Sequence, residues 1–246
     1  GSARALALLG FPALATTSSG FAWSLGHADD TVGLDATLVN LRLIASAVDL
    51  PVNADFQGGY AREPEGVARN VALAVETGVA GLSIEDFSGD PADPLLDADL
   101  AVERIAAARA AIDASGTGVL LTARTEGFVW GRPDLEESIR RLRSFADAGA
   151  DCLYAPFLST SEQVAAVVEA VAPKPVNVVI HRPFVTVAEA AALGVRRIST
   201  GGLLAKAAWK GFLDAARSIA DTGSFAFATG LPDLDALMAG DAFDGR

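Results

Sequence analysis

Short apolar segments alternate with longer helix-forming segments along the whole chain, and this alternation restricts the possible folds most. The apolar segments are almost continuous in valine, leucine, isoleucine and alanine, as expected of strands that are buried on both faces of a parallel sheet. Parallel strands need crossover connections, which are usually helices, so the pattern indicates the α/β class. We predict strands at 13–17, 52–56, 81–85, 119–124, 152–157, 176–180 and 197–200.

Helix-forming segments fill the intervals between these strands. We predict helices at 33–48, 64–77, 97–114, 134–148, 160–171, 186–193 and 203–221, and one more at 3–9 before the first strand. Glycines that could adopt a left-handed conformation follow five of the helical segments, at Gly10, Gly78, Gly116, Gly149 and Gly194. Residues 159–162 and 186–189 have the pattern of capping boxes, which predicts the start of two helices.

The number of strands favours a barrel over an open sheet. Seven strands preceded by a helix match a TIM-type (β/α)8 barrel whose first strand is missing from this chain. An open doubly wound sheet usually carries a glycine-rich phosphate turn, and the sequence has no Gly-x-Gly-x-x-Gly motif. We therefore assign an α/β barrel catalytic domain to residues 1–222. Residues 223–246 are predicted to form a C-terminal tail that acts between subunits.

Composition argues against several classes of partner. The formal net charge of −12 argues against binding to nucleic acid or to an anionic membrane surface. No apolar run approaches the roughly 18 residues of a membrane-spanning helix. No basic-then-apolar signal segment opens the chain, so we expect a cytoplasmic protein. The single cysteine, Cys152, excludes an intrachain disulfide and is expected to pack in the core.

Charged side chains stand at the ends of three successive predicted strands, at Asp55, Glu85 and Arg124. Active sites of α/β barrels form where the strands end, so we expect these side chains to meet. Neighbouring carboxylates repel each other unless a cation joins them. Oxygen ligands without a cluster of histidine or cysteine favour Mg²⁺ or Mn²⁺ over zinc. Arginine beside such a metal is suited to bind a substrate carboxylate.

Other strand-end residues permit more than one interpretation. Asp86 is expected to cap or turn the following loop, and Trp23 and Trp130 could line a pocket or simply pack. The backbone amides of Ser19 and Gly20 could bind a substrate oxygen. The glycine pair at 201–202 could bind phosphate at a helix start, although we prefer a tight strand–helix junction.

Taken together, the motifs resemble those of the isocitrate lyase / phosphoenolpyruvate mutase superfamily over nearly the whole chain. Residues 16–20 and 25–29 resemble that family's substrate-binding loop and its trailing aspartate. Residues 51–60 resemble its metal-binding segment, and 81–86 its second acidic strand. Ala-Arg-Thr-Glu at 123–126 is similar to the family's Ala-Arg-Thr-Asp motif, and Pro-Val-Asn at 175–177 to its substrate-binding asparagine.

The resemblance implies a Mg²⁺- or Mn²⁺-dependent lyase. Such an enzyme makes or breaks a carbon–carbon bond of a small 2-oxo or 2-hydroxy carboxylic acid through an enolate. The resemblance also implies a homotetramer in which neighbouring subunits exchange the last helix. The site residues that it implies are, for the metal, Asp55 and Glu85; for catalysis, Arg124 and Asp29; and for the substrate, Ser19, Gly20, Arg124 and Asn177.

Three departures from the isocitrate and methylisocitrate lyases narrow this expectation. Their Lys-Lys-Cys-Gly-His loop is replaced by Phe-Ser-Gly-Asp-Pro-Ala-Asp-Pro at 87–94, and Gln57 replaces a carboxylate of the metal segment. Ala-Pro-Phe at 155–157 stands where those lyases have a glutamate. The sequence thus favours the phosphoenolpyruvate mutase-like subgroup that acts on small 2-oxoacids. Three alternatives remain open: a phosphonate P–C bond mutase or hydrolase, a barrel that binds a metabolite without turnover, and an unrelated phosphate-binding barrel.

Overall fold

A computed structural model of the chain describes residues 1–239 and contains a seven-stranded parallel sheet. The order of the strands in the sheet is their order in the chain, which confirms the nearly closed TIM-type barrel that lacks one strand. The strands are β1 Leu14–Ala15, β2 Val52–Asp55, β3 Gly81–Glu85, β4 Leu120–Arg124, β5 Cys152–Tyr154, β6 Val176–Val179 and β7 Arg197–Ser199.

Helices connect consecutive strands, as the crossover rule for parallel sheets requires. Within the described residues they are α1 Ser2–Leu8, α2 Ser18–Ser24, α3 Leu34–Ala45, α4 Pro64–Val75, α5 Ala98–Ser115, α6 Leu135–Asp147, α7 Ser161–Val171, α8 Val187–Ala192, α9 Leu203–Thr222 and α10 Leu234–Ala239. A 3₁₀ turn at Ala226–Ala228 lies between the last two helices. No helix of residues 1–239 is long and apolar enough to cross a membrane.

Two local predictions were wrong in detail. Residues 18–24, for which no helix was predicted, form α2, and Thr17 caps this helix by accepting a hydrogen bond from the Gly20 amide. The cap of α7 lies one residue later than predicted, since Thr160 accepts from the Gln163 amide. The capping box of Thr186 and Glu189 is confirmed. All five helix-ending glycines have positive φ, as predicted.

The core runs from the strands into the helices that cover them. Phe56, Leu82, Leu121 and Leu153 are fully buried, and Cys152 is buried as expected. Parallel pairing places Glu85 beside Arg124 in the register of β3 and β4, while Asp55 lies beside Ser83. The last residues of three neighbouring strands are therefore charged and lie at one end of the barrel.

The segment after α9 begins at Gly223, which is left-handed with φ 65°. Helix α10 then returns to the start of the chain, where Arg4 donates a hydrogen bond to the Met238 carbonyl. The domain boundary at 222 and the exchange of the tail between subunits stay predictions. Residues 240–246 of the predicted tail lie outside the described residues.

Candidate active site

Arg124 lies among three carboxylates at the C-terminal end of the barrel. Its Nη1 is 3.2 Å from Glu85 Oε2 and 3.5 Å from Asp55 Oδ1. On its other edge, Nε and Nη2 bind the two carboxylate oxygens of Glu126. The structure therefore brings together the three strand-end residues that the sequence predicted. Glu126, the last residue of the Ala-Arg-Thr-Glu motif, fixes the plane of the guanidinium group.

The segment that follows β1 holds Asp55 through two hydrogen bonds. The Ser18 amide donates to Asp55 Oδ2 at 2.9 Å, and the Asp55 amide donates to Thr16 Oγ1 at 2.9 Å. Asp55 Oδ1 is buried and makes no hydrogen bond, although a buried carboxylate oxygen normally has a partner. One oxygen of Asp55 is therefore fixed by a hydrogen bond, while the other makes none and has only the ion-pair contact with Arg124 Nη1 at 3.5 Å.

When they are ionised, the carboxylates of the cluster carry more negative charge than Arg124 balances. Burial raises the pKa of Glu85 well above its ordinary value, and the neighbouring Arg124 opposes this rise. Burial likewise raises the pKa of Glu126, again against the effect of Arg124. When all three carboxylates are ionised, one guanidinium leaves an excess of two negative charges at the end of the barrel. A single divalent cation would neutralise that excess.

The residues present fit a magnesium or manganese ion. Among the described residues, no three histidine, cysteine or carboxylate side chains lie close enough together to bind one metal ion. Arg124 lies between Asp55 and Glu85. Asp55 Oδ1 nevertheless makes no hydrogen bond, and its one charged neighbour in the cluster, Arg124 Nη1, lies 3.5 Å away, so this oxygen has room to bind a cation. Carboxylate oxygens are the donors that Mg²⁺ prefers, so Asp55 and Glu85 would hold the ion.

The two tyrosines of the chain lie beside the cluster: Tyr60 lines the same cleft as Asp55, and the Arg124 guanidinium lies 5.4 Å from the centre of the Tyr154 ring. We expect both to resist ionisation. Burial raises the pKa of Tyr60 and of Tyr154 to about 12. Between the ordinary value of about 10 and that value, the native protein keeps protons that the unfolded chain releases, so the free energy of unfolding falls as pH rises. Near-ultraviolet titration should show tyrosinate in the denatured chain at a pH where the native protein shows none. A native midpoint near 10 would contradict this burial.

Asn177 lies at the same level of the barrel as Arg124, since the register pairs Arg124 with Tyr154 and Tyr154 with Asn177. Its side chain is fully buried in a polar network. The amide oxygen accepts from Arg197 Nε at 2.9 Å, and the amide nitrogen donates to Ser199 Oγ at 3.0 Å. Its amide is thus fixed in one orientation, and its predicted contact with substrate stays a prediction.

The remaining predicted substrate residues lie in and after α2. Ser19 Oγ is hydrogen-bonded to Thr17 Oγ1 at 3.0 Å, and the Gly20 amide donates to the same Thr17 oxygen at 3.4 Å. In this segment the Ser18 amide is the one that reaches the carboxylate cluster.

A Cβ on Gly202 would lie 3.0 Å from the Trp23 ring, which supports the tight junction that we preferred for residues 201–202.

Asp29 is exposed, and its Oδ1 accepts a hydrogen bond from the Asp30 amide. The structure does not bring Asp29 into the cluster, and its catalytic role stays a prediction. Asp30 instead turns towards the site, where its Oδ1 accepts from Gln57 Nε2 at 2.6 Å. Both Asp30 and Gln57 have positive φ, at 60° and 48°, which is uncommon outside glycine. Gln57 follows the predicted strand 52–56 directly and was recognised as a departure in the metal segment, whereas its hydrogen bond to Asp30 was not predicted.

Asp86 faces away from the site and joins three elements behind it. Its carboxylate accepts from Thr125 Oγ1 at 2.8 Å, from the Glu126 amide at 2.8 Å and from Arg141 Nη1 at 3.2 Å. Asp86 comes directly after the last residue of β3, and its partners differ from the Arg124 that Glu85 contacts. Asp86 therefore fixes the backbone of Glu126, rather than only turning the loop as we had expected.

Aromatic stacking joins the loop after β3 to the loop after β4. The Phe87 and Trp130 rings stack with centroids 4.3 Å apart and an interplanar angle of 7°. Arg132 adds an ion pair with Asp93 and a hydrogen bond to the Ala92 carbonyl. The loop that lacks the Lys-Lys-Cys-Gly-His sequence is thus attached to the loop that follows β4.

Comparisons with known proteins identify the family of the chain. The model of the phosphoenolpyruvate phosphomutase family matches residues 1–220. A solved structure from Burkholderia cenocepacia J2315, whose proposed class is lyase or mutase, is 44% identical, with a TM-score of 0.91 over 95% of this chain and 84% of that one. The structure of 2,3-dimethylmalate lyase is 29% identical, with a TM-score of 0.88 over 97% of this chain and 86% of that one.

The third similar structure is oxaloacetate acetylhydrolase in complex with its product oxalate. It is 31% identical, with a TM-score of 0.86 over 97% of this chain and 85% of that one. The description of the dimethylmalate lyase places it in the PEP mutase/isocitrate lyase superfamily. Since the family model spans nearly all of the barrel and these structures share its fold, the chain belongs to the phosphoenolpyruvate mutase family of the isocitrate lyase / phosphoenolpyruvate mutase superfamily.

Proposed function

We propose that the chain is a Mg²⁺-dependent lyase that makes or breaks a carbon–carbon bond of a small 2-oxo or 2-hydroxy carboxylic acid through an enolate. One observation carries this proposal. Arg124 lies between the strand-end carboxylates of Asp55 and Glu85, and one oxygen of Asp55 makes no hydrogen bond. Such a site combines positions for a cation and for a carboxylate. Family membership makes an unrelated phosphate-binding barrel the wrong interpretation.

Arg124 has separate edges for support and for recognition. Nε and Nη2 are occupied by Glu126, whereas Nη1 points to Asp55 and Glu85. A substrate carboxylate would therefore bind at the Nη1 end, while Glu126 keeps the guanidinium plane in place. When bound, Mg²⁺ supplies a Lewis acid that stabilises negative charge on a substrate oxygen. Asp55 and Glu85 would hold the metal, and Arg124 would orient the substrate beside it.

The loop at 87–94 favours carbon–carbon chemistry over phosphonate chemistry. Its polar side chains are used within the protein: Ser88 Oγ donates to the Asp93 carbonyl, and the Asp93 carboxylate pairs with Arg132. The Asp90 carboxylate accepts from the Ala92 amide. These groups stabilise the loop instead of pointing a set of polar side chains at a phosphonate. Phosphonate mutase or hydrolase activity remains the second hypothesis.

The proposal is tested by supplying purified protein with Mg²⁺ and a panel of small acids. The panel contains oxaloacetate, substituted malates and phosphonopyruvate, and the products are identified by mass spectrometry and by coupled detection of pyruvate. We expect cleavage of a 2-oxo or 2-hydroxy acid that stops when EDTA is added. Turnover of phosphonopyruvate alone would favour the phosphonate hypothesis. Metal-dependent binding of oxalate without turnover of any compound would favour a metabolite-binding barrel.

We also propose that the protein assembles as a homo-oligomer, as the resemblance implies for a tetramer. The twenty residues of α9 include no buried residue, and Trp209, Phe212 and Leu213 are exposed on it. A second copy that covers this surface would remove the apolar side chains from water. We expect sedimentation analysis to show an oligomer that Phe212→Ser shifts towards monomer. Val187→Ser removes an exposed apolar side chain from α8 and should leave the mass unchanged. A monomeric wild type would contradict the proposal.

A further inference from the structure

A buried arginine lies directly behind the carboxylate cluster. Arg104 of α5 is only 2% exposed and is among the largest fully buried side chains. Its Nη1 donates to the Glu85 carbonyl at 3.1 Å, and its Nη2 donates to the carbonyls of Gly58 and Ala61. In residues 1–239, no carboxylate lies within ion-pair distance of it. Backbone carbonyls therefore take the place of the acidic partner that a buried arginine usually has.

This arrangement is costly to maintain. Burial lowers the pKa of Arg104, and its Nε has no hydrogen-bond partner. The same helix face carries Ala101, Ile105 and Ala108, all of which are buried, so an apolar residue would suit position 104. A charge at such a position destabilises the fold unless its hydrogen bonds compensate. The hydrogen bonds to the three carbonyls are therefore what compensates for the burial of the Arg104 charge.

The three carbonyls belong to the two strand ends that carry the proposed metal ligands. The Glu85 carbonyl is part of the ligand residue itself, and Gly58 and Ala61 lie in the turn that follows Asp55. That turn contains Gln57 and Tyr60 at positive φ, 48° and 56°. Residues in this region of backbone conformation persist only where the surroundings hold them. A Cβ on Gly58 would lie 3.0 Å from Arg104 Nη2, so the turn and the arginine fit closely.

We propose that Arg104 is a positioning residue that sets the affinity of the metal site by fixing the ends of β2 and β3 relative to each other. The inference rests on the proposed function, because it takes Asp55 and Glu85 as metal ligands. Arg104 does not touch the site. It acts through the backbone of Glu85 and through the turn that continues from Asp55. Supporting residues of this kind typically change metal affinity by about 10- to 100-fold when they are replaced.

Arg109 offers a matched control in the same helix. It too is largely buried and has an unpartnered Nε. Its guanidinium pairs with Asp113 and with Asp151, which precedes β5 at the other end of the barrel. Replacement of Arg109 therefore disturbs a buried arginine of α5 without disturbing the strand ends that carry Asp55 and Glu85.

The test compares Arg104→Lys and Arg109→Lys by titration of the full chain with Mn²⁺, followed by electron paramagnetic resonance. Lysine keeps the charge but cannot reach three carbonyls with a fixed fork of donors. We expect Mn²⁺ to bind Arg104→Lys about 10-fold more weakly than wild type, or weaker still, and Arg109→Lys with unchanged affinity. Thermal unfolding of both variants shows whether a general loss of stability accounts for any difference.

Hydrogen exchange supplies a readout that does not depend on metal. The Gly59 amide donates to the Phe56 carbonyl and the Glu85 amide donates to the Gln57 carbonyl, so both report on the turn behind the site. We expect both amides to exchange faster in Arg104→Lys but not in Arg109→Lys. Unchanged Mn²⁺ affinity in Arg104→Lys, or an equal loss in both variants, would overturn the inference. A wild type that binds no Mn²⁺ would instead overturn the proposed function, and the positioning role would fall with it.

Discussion

Asp55→Asn is expected to reduce Mg²⁺-dependent turnover by about a thousandfold, because a metal ion contributes several kcal/mol to the stabilisation of charge in the transition state. Asparagine has nearly the shape of aspartate, and it can still accept the hydrogen bond that the Ser18 amide donates to Asp55 Oδ2. The fold should therefore survive, while the negative charge at the unpartnered oxygen is lost. The measurement is kcat/KM as a function of Mg²⁺ concentration, together with the Mn²⁺ dissociation constant.

A matched substitution controls for the loss of a carboxylate near the site. Asp86 directly follows Glu85 in the chain, and its carboxylate is also buried but faces away from the site. Asp86→Asn removes the charge of this carboxylate. We expect it to reduce stability and to leave Mn²⁺ binding far less affected than Asp55→Asn does. Equal Mn²⁺ affinity in wild type and Asp55→Asn would show that Asp55 is not a metal ligand, whatever happens to activity.

Arg124→Gln is expected to destabilise the metal-free protein by about 3–5 kcal/mol, as is usual when one partner of a buried ion pair is removed. Arg124 is the positive group among Asp55, Glu85 and Glu126, so its loss leaves three buried carboxylates without compensation. A divalent ion would then supply the missing positive charge. We therefore expect Mg²⁺ to raise the free energy of unfolding more in Arg124→Gln than in wild type, as measured by urea titration with and without the ion.

The activity of this variant separates binding from support of the fold. Because Arg124 Nη1 is the end that would bind the substrate carboxylate, Arg124→Gln should stay inactive even where Mg²⁺ has restored its stability. Arg109→Gln removes a buried arginine at the far end of the barrel, and Mg²⁺ should stabilise it no more than wild type. If Mg²⁺ stabilised Arg124→Gln and wild type equally, the carboxylates around Arg124 would not form the metal site.

The sequence was sufficient to predict the barrel and the centre of its site. Strand periodicity and the alternation with helices are local properties, and parallel strands in a barrel bring their C-terminal ends together. For that reason Asp55, Glu85 and Arg124 could be placed at one end of the barrel before the contacts between them were known. The short helix α2 was missed, because the polar residues that begin it do not show a helical period.

Only the tertiary structure decided which polar groups the site residues contact. Arg141 reaches Asp86 across 55 residues of chain, and Arg197 reaches Asn53 across 144. Local patterns carry no information about such pairs, because the pairing depends on how helices and strands pack. Position 104 could be recognised from its place on the buried face of α5, but its carbonyl partners could not. The sequence thus determined where charge gathers in this protein, and packing determined which of those charges face the site and which support it from behind.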